Sequence, residues 1–293
     1  MTGSTGTITG SPSRACFALA ALVAISLLGC RTPAAPRAAP LRTHEGLNAT
    51  LWLQTAAEWR AAAFQAYRSA IVHLDLALAD PTWSAALEQQ GDFSRLPPAV
   101  ILDMDEAIIR SDRFQASLVA DQRPFRLEEW NAWVRSEASV AVPGALEYAR
   151  HAHANGVHIY YVTNRNAEVE AESLEILRKL GFPLESGFSD LLTMGEEPGW
   201  TSDKSSRRAA LCDTHRIIQI VGDNLNDFIS GAYTSVAGRR TLVDDHAEWW
   251  GTRWIVMPNP TYGGWEGALY DYDRSLPRQE ILRRKYEQLD SWK

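Results

Sequence analysis

Two patterns alternate along the chain between Pro98 and Pro260. Short, almost continuously apolar runs, "AVILDMD" from Ala99, "VHIYYVT" from Val157, "RIIQIVGD" from Arg216 and "RWIVMPNP" from Arg253, are separated by longer amphipathic segments. The short runs are apolar on both faces, as strands of a parallel sheet covered on both sides are. The segments between them read as helices. "PGALEYARHAHANG" has Pro143 in its first turn and Gly156 just past its end. In "NAEVEAESLEILRKLG", Val169, Ser173, Ile176, Leu177 and Leu180 share a face, and Gly181 and Pro183 close the segment. "KSSRRAALCD" reads as a further helix. Strands alternating with helices predict an α/β fold with a parallel sheet.

Upstream, the Ala-rich stretch from Leu47 to Asp80 repeats apolar residues at helical spacing, for instance Leu53, Ala57, Phe64 and Tyr67. It predicts one or two helices packed on the core, with a structural role. The first 30 residues differ again. Arg14 precedes "ACFALAALVAISLLG", which is short for a bilayer crossing of about 20 residues and fits the apolar region of a signal peptide. It ends in Leu27-Leu28-Gly29-Cys30, which resembles the bacterial lipobox, where cleavage precedes a cysteine that then carries lipid. The expectation is a signal peptide over 1–29, a Pro- and Ala-rich tether over 30–44, and a globular domain over 45–293. Such a chain is expected in a bacterial cell envelope, outside the cytoplasm, lipid-anchored at Cys30 to a membrane, expected to be the outer one. Cys16 leaves with the signal peptide and Cys30 is modified, so Cys212 alone remains as a thiol, read as buried filler in a helix.

Composition narrows the function. A formal charge of -7 and a pI near 5.5 provide no basic footprint for a nucleic-acid polymer. Ligands of such a sheet bind beyond the C-terminal ends of the strands. Those ends carry Asp103 and Asp105, then Thr163-Asn164-Arg165, then Asp223 and Asp227, then Pro258-Asn259-Pro260. Carboxylates brought together stay ionised only with a cation among them or a shared proton. Asp103, Asp223 and Asp227 therefore imply a hard divalent cation, Mg2+, which takes oxygen ligands and binds phosphate. With the Thr163 hydroxyl and the Lys204 ammonium, that charge neutralises a phosphoryl group from several sides. Asp103 is then free to attack phosphorus, and Asp105 to protonate the departing oxygen and deprotonate the hydrolytic water.

"ILDMDE", "YYVTNR", "DKSSRR", "IVGDNLNDF" and "MPNPTYGGWEGAL", in this order, resemble the motifs of the haloacid dehalogenase (HAD) superfamily, and more narrowly the class C acid phosphatases, or lipoprotein e(P4) family. The resemblance implies a Rossmann-like core, an N-terminal helical segment and a small, mainly helical cap inserted at about 110–142. It implies hydrolysis of phosphomonoesters, commonly nucleoside 5'-monophosphates and aryl phosphates, with homodimers and an acidic optimum compatible with it. By the same resemblance Asp103 is nucleophile and metal ligand, Asp105 is general acid and base with a metal-binding backbone carbonyl, and Asp223 is a further ligand. Asp227 is a supporting carboxylate, and Thr163, Asn164 and Lys204 bind phosphate. Phe125, Tyr262 and Trp265 flank the expected cleft as stacking candidates for a flat leaving group. Trp130 and Trp133 read as core.

The chain departs from the family's usual D-x-D-E-T in having Ala107, and it carries Arg110 where an acid or Asn is common. Loss of the hydroxyl at 107 predicts a looser turn and a slower site. Arg110 predicts positive charge near the cleft mouth. The competing reading is a catalytically weak or inactive surface lipoprotein that binds a nucleotide or another small ligand. A dehalogenase has no need of Asp105.

Overall fold

The computed structural model describes residues 1–3, 5–7 and 43–292. Most of the expected signal peptide, most of the tether and Cys30 lie outside the described residues. Among the described residues no helix is long and apolar enough to cross a membrane.

Two helices open the domain, α1 (Leu47–Thr55) and α2 (Ala57–Ala79). Ala56, in extended conformation, separates them and resets the helical phase. The buried face of α2 is consequently Trp59, Ala63, Tyr67, Ala70, Leu74 and Ala77. Of the sequence-predicted face, Leu53 and Tyr67 are buried, Ala57 is exposed, and Phe64 is half-buried between the guanidinium groups of Arg60 and Arg68.

Strand β1 (Pro98–Leu102) follows, then β2 (Ile109–Arg110), α3 (Asp112–Ala120), α4 (Leu127–Arg135) and β3 (Val140–Ala141). The chain continues through α5 (Ala145–Ala154), β4 (His158–Asn166), α6 (Glu170–Leu180), β5 (Leu191–Met194), α7 (Ser205–Cys212) and β6 (Arg216–Gly222). It ends with α8 (Val236–Asp244), β7 (Trp254–Val256), α9 (Gly264–Gly267) and α10 (Arg278–Glu287). The main sheet has the order β5-β4-β1-β6-β7 and is parallel throughout. Its edge strand β5 was not among the strands expected from the sequence, because "LLTM" is four residues long and has no flanking alternation to mark it.

Successive side chains of a strand point to opposite faces. In β1, Val100 and Leu102 join the core beneath α2 and α5, while Ala99 and Ile101 join a second core with Leu211, Cys212, Phe228 and Trp254. Both faces are covered, as the apolar runs require. Cys212 is buried. Between β1 and β4 the chain makes a helical excursion, α3 and α4, whose two ends pair antiparallel as β2 and β3. Trp130 is buried there, with Trp133 and Phe114 against it at ring-centroid distances of 4.9 and 5.1 Å.

Candidate active site

The two central strands β1 and β6 end side by side, Leu102 in register with Val221, so Asp103 and Asp223 emerge together. The Asp103 N–H donates to the Val221 carbonyl at 2.8 Å, which extends the ladder by one step and fixes the acid at its tip. Asp227 folds back in the loop after β6, where its carboxylate accepts from the N–H groups of Asp223 (3.1 Å) and Asn224 (2.9 Å). Oxygens of Asp103, Asp223 and Asp227 lie within 4.8 Å of one another.

One ammonium enters this cluster. Lys204, just ahead of α7 and 2% exposed, bonds Asp103 and lies 2.7 Å from Asp227 Oδ1. Burial works against its charge, yet the two carboxylates hold its pKa above the ordinary lysine value. Three acids against one base leave an excess of negative charge. Burial pushes the Asp103 carboxyl up to about 7, with Lys204 opposing and Asp227 and Asp105 adding to the rise. Asp223 is driven well above the usual carboxylate range by burial and by Asp103 and Asp227, although Asn259 Nδ2 donates to it at 2.7 Å. Such a set of hard oxygen donors, destabilised by mutual repulsion, fits a divalent cation.

Asp105 faces the other way. Both its oxygens accept from Arg165, Oδ2 from Nε and Oδ1 from Nη2, each at 2.8 Å. The turn after it is tight. Ile108 and Ile109 donate to the Met104 carbonyl, and Glu106, at φ 60°, donates to the carbonyl of Ile109. The Glu106 carboxylate accepts from the Ser111 N–H (2.7 Å) and hydroxyl (2.6 Å), and burial pushes it up to about 7. Ala107 is fully buried, and its carbonyl accepts from the Tyr67 hydroxyl at 2.7 Å. A phenol from α2 thus ties the turn through the backbone where a side-chain hydroxyl is missing. The Arg110 guanidinium is paired with Asp112 at 2.9 Å, donates to the Leu53 carbonyl and lies over Trp59. Asp112 neutralises the charge that the sequence suggested for the cleft mouth.

The end of β4 supplies Thr163, whose hydroxyl accepts from the Arg165 N–H at 3.1 Å, and Asn164, which is exposed. Two buried arginines of α7 hold these loops. Arg207 donates to the carbonyl of Thr163 (2.5 Å) and to Asn164 Oδ1 (2.6 Å). Arg208 donates to the carbonyls of Asn226 and Asp227 and pairs with Glu88. Both stand in "DKSSRR", where burial alone distinguishes them from solvated helix arginines, and burial is not visible in a sequence.

Of the aromatic candidates, Tyr262 reaches the acids. Burial together with Asp223, Glu106 and Asp105 raises its phenol well above the usual phenol value, with Ser111 opposing. Trp265 is 43% exposed and donates to the Tyr262 carbonyl. Phe125 is 55% exposed and packs beside Phe114 and Trp130.

Residues 50–265 match the family described as HAD superfamily, subfamily IIIB (acid phosphatase). This chain belongs to that family. It is similar to the solved class C acid phosphatase of Bacillus anthracis, at 31% identity over 85% of this chain and 98% of that one, with a TM-score of 0.75. The structure of the same Bacillus anthracis enzyme with tungstate bound gives 31% identity over the same shares of both chains and a TM-score of 0.74. The chain is an acid phosphatase with the HAD-like α/β fold.

Proposed function

We propose that this acid phosphatase hydrolyses phosphomonoesters, nucleoside 5'-monophosphates and aryl phosphates among them, with Mg2+ and through a phosphoryl group carried on Asp103. The observation that supports this most is the cluster at the tips of β1 and β6, three acids with one ammonium bonded to two of them. Asp103 and Asp223 would hold the ion from neighbouring strand tips, with the Asp105 carbonyl beside them, while Asp227 steadies Lys204 and the loop. Bound Mg2+ supplies positive charge that keeps these acids ionised and draws in phosphoryl oxygens. Lys204, Thr163 and Asn164 bind the remaining oxygens of the phosphoryl group.

The steps follow from the residues. An Asp103 oxygen bonds phosphorus as the ester P–O bond breaks, and Asp105 gives its proton to the departing oxygen. Water then attacks the same phosphorus, Asp105 takes its proton, and the Asp103–phosphorus bond breaks to release inorganic phosphate. Tyr262 and Trp265 offer aromatic surface to a flat leaving group. An assay of the protein against p-nitrophenyl phosphate and nucleoside monophosphates tests this. Phosphate release is expected with Mg2+, is lost with chelator and returns on re-addition; an equal rate in chelator overturns the reading.

The lipid anchor is a second part of the proposal, supported by Leu27-Leu28-Gly29-Cys30. Cys30→Ser is expected to move the protein from the membrane fraction to the soluble one in a bacterial host. Retention of the variant in the membrane fraction would count against it.

A further inference from the structure

Arg165 takes no part in the steps above, yet its guanidinium is bonded directly to the Asp105 carboxylate. It is buried, and it donates through three nitrogens: Nε and Nη2 to the two oxygens of Asp105, each at 2.8 Å, and Nη1 to Ser173 Oγ of α6 at 3.2 Å. Its guanidinium carbon lies 5.9 Å from the Trp130 ring on α4. Helix α4 is itself tied back to the start of α6, through Asn131 to the Glu168 carboxylate at 3.1 Å and Arg135 to Glu172 and the Glu168 carbonyl. The guanidinium is therefore fixed from three elements before it meets Asp105.

A fork of two parallel N–H bonds fixes the plane of a carboxylate as well as its position. Asp105 enters a tight turn, and its isolated backbone bridge with Ile109 fixes the main chain without dictating where the carboxylate oxygens point. The three acids at the strand tips are excess negative charge that would repel it. Arg165 answers both.

We propose that Arg165 is a positioning residue for Asp105: it draws that carboxylate away from the acid cluster and holds its oxygens towards the side where the leaving oxygen departs. This rests on the role given to Asp105 above. A positioning role for the proton donor has a signature that general structural support lacks. An ester whose leaving oxygen is a stable anion, such as p-nitrophenyl phosphate, needs little protonation, whereas an alkyl phosphate such as glycerol 2-phosphate needs it fully.

The test compares kcat on these two esters for Arg165→Gln, Arg165→Lys and Ser173→Ala, with Asp103→Asn alongside. Arg165→Gln is expected to lose about 100-fold on glycerol 2-phosphate, the scale of general acid catalysis, and tenfold less than that on the nitrophenyl ester. Arg165→Lys keeps the charge without the fork and is expected to recover part of the difference between the two esters. Ser173→Ala, which frees one N–H, is expected to shift the ratio in the same direction by a smaller factor. Equal losses on both esters, in Arg165→Gln or, where that variant does not fold, in Arg165→Lys and Ser173→Ala, overturn the proposal. Full activity of Asp103→Asn would instead overturn the mechanism on which it rests.

Discussion

Asp103→Asn is expected to lose turnover on every phosphomonoester, by on the order of 10^6-fold, the scale seen when a covalent nucleophile is removed. Asn is the same size and keeps the backbone bond from residue 103 to Val221, so the fold should survive. It also removes one of the three negative charges in the cluster. In the absence of metal the variant is therefore expected to melt at or above the temperature of the parent at pH 7, while its activity is gone. Separate loss of activity and retention of stability, read by a phosphate assay and by thermal melting, identify Asp103 as the attacking group. Measurable turnover with added Mg2+ would remove it from that role.

Lys204→Met is expected to have the opposite effect on stability. The ammonium is buried between Asp103 and Asp227, and removing one partner of a buried ion pair costs about 3–5 kcal/mol because the other charge is left without compensation. The sign of its pH dependence follows from the acids. Asp103 is raised to about 7 and Asp223 is raised as well, against about 3.9 for Asp in an unfolded chain. A carboxyl with a raised folded pKa contributes stability that is fully present below the unfolded value and is lost as pH rises through the folded one. The metal-free protein is thus expected to be more stable at pH 4–5 than at pH 7–8. Lys204→Met steepens that fall, so its deficit against the parent is largest at pH 7 and smallest near pH 4. Mg2+ at pH 7 should recover part of the loss. Denaturant titration of both proteins across this range, with and without Mg2+, checks the prediction, and a deficit that does not change with pH contradicts it.

Much of this was legible in the sequence because parallel strands are written as uninterrupted apolar runs, and their C-terminal ends are where a ligand must sit. Asp103 and Asp223 are found that way, and the sheet brings their carboxylates together; Lys204 stands in the helical segment "DKSSRR" and joins Asp103 and Asp227 from there. What escaped has physical causes. The strand β5 is short and lies at an edge. The phase of α2 depends on a break at Ala56 that no Pro or Gly announces. The charge of Arg110 is neutralised by Asp112 two residues on, which in the sequence reads as an ordinary helix-start acid. The importance of Arg207 and Arg208 arises from burial against loops that are distant in sequence, Arg208 reaching Glu88 across the domain. Tyr67 reads as a core position from its helical spacing, and nothing in the sequence points its hydroxyl to the turn at Ala107, which it supports.

The pairing of β2 with β3 has a consequence for how such an enzyme changes over time. Ile109 stands opposite Ala141 and Arg110 opposite Val140, so the chain leaves for the helical excursion and returns from it side by side. A segment with adjacent ends can be lengthened, shortened or exchanged with that of a relative while the strand tips carrying the acids keep their places. Selectivity for the organic part of a substrate can then drift independently of the chemistry, and a chimaera that swaps residues 111–139 for a relative's is the natural way to transplant it.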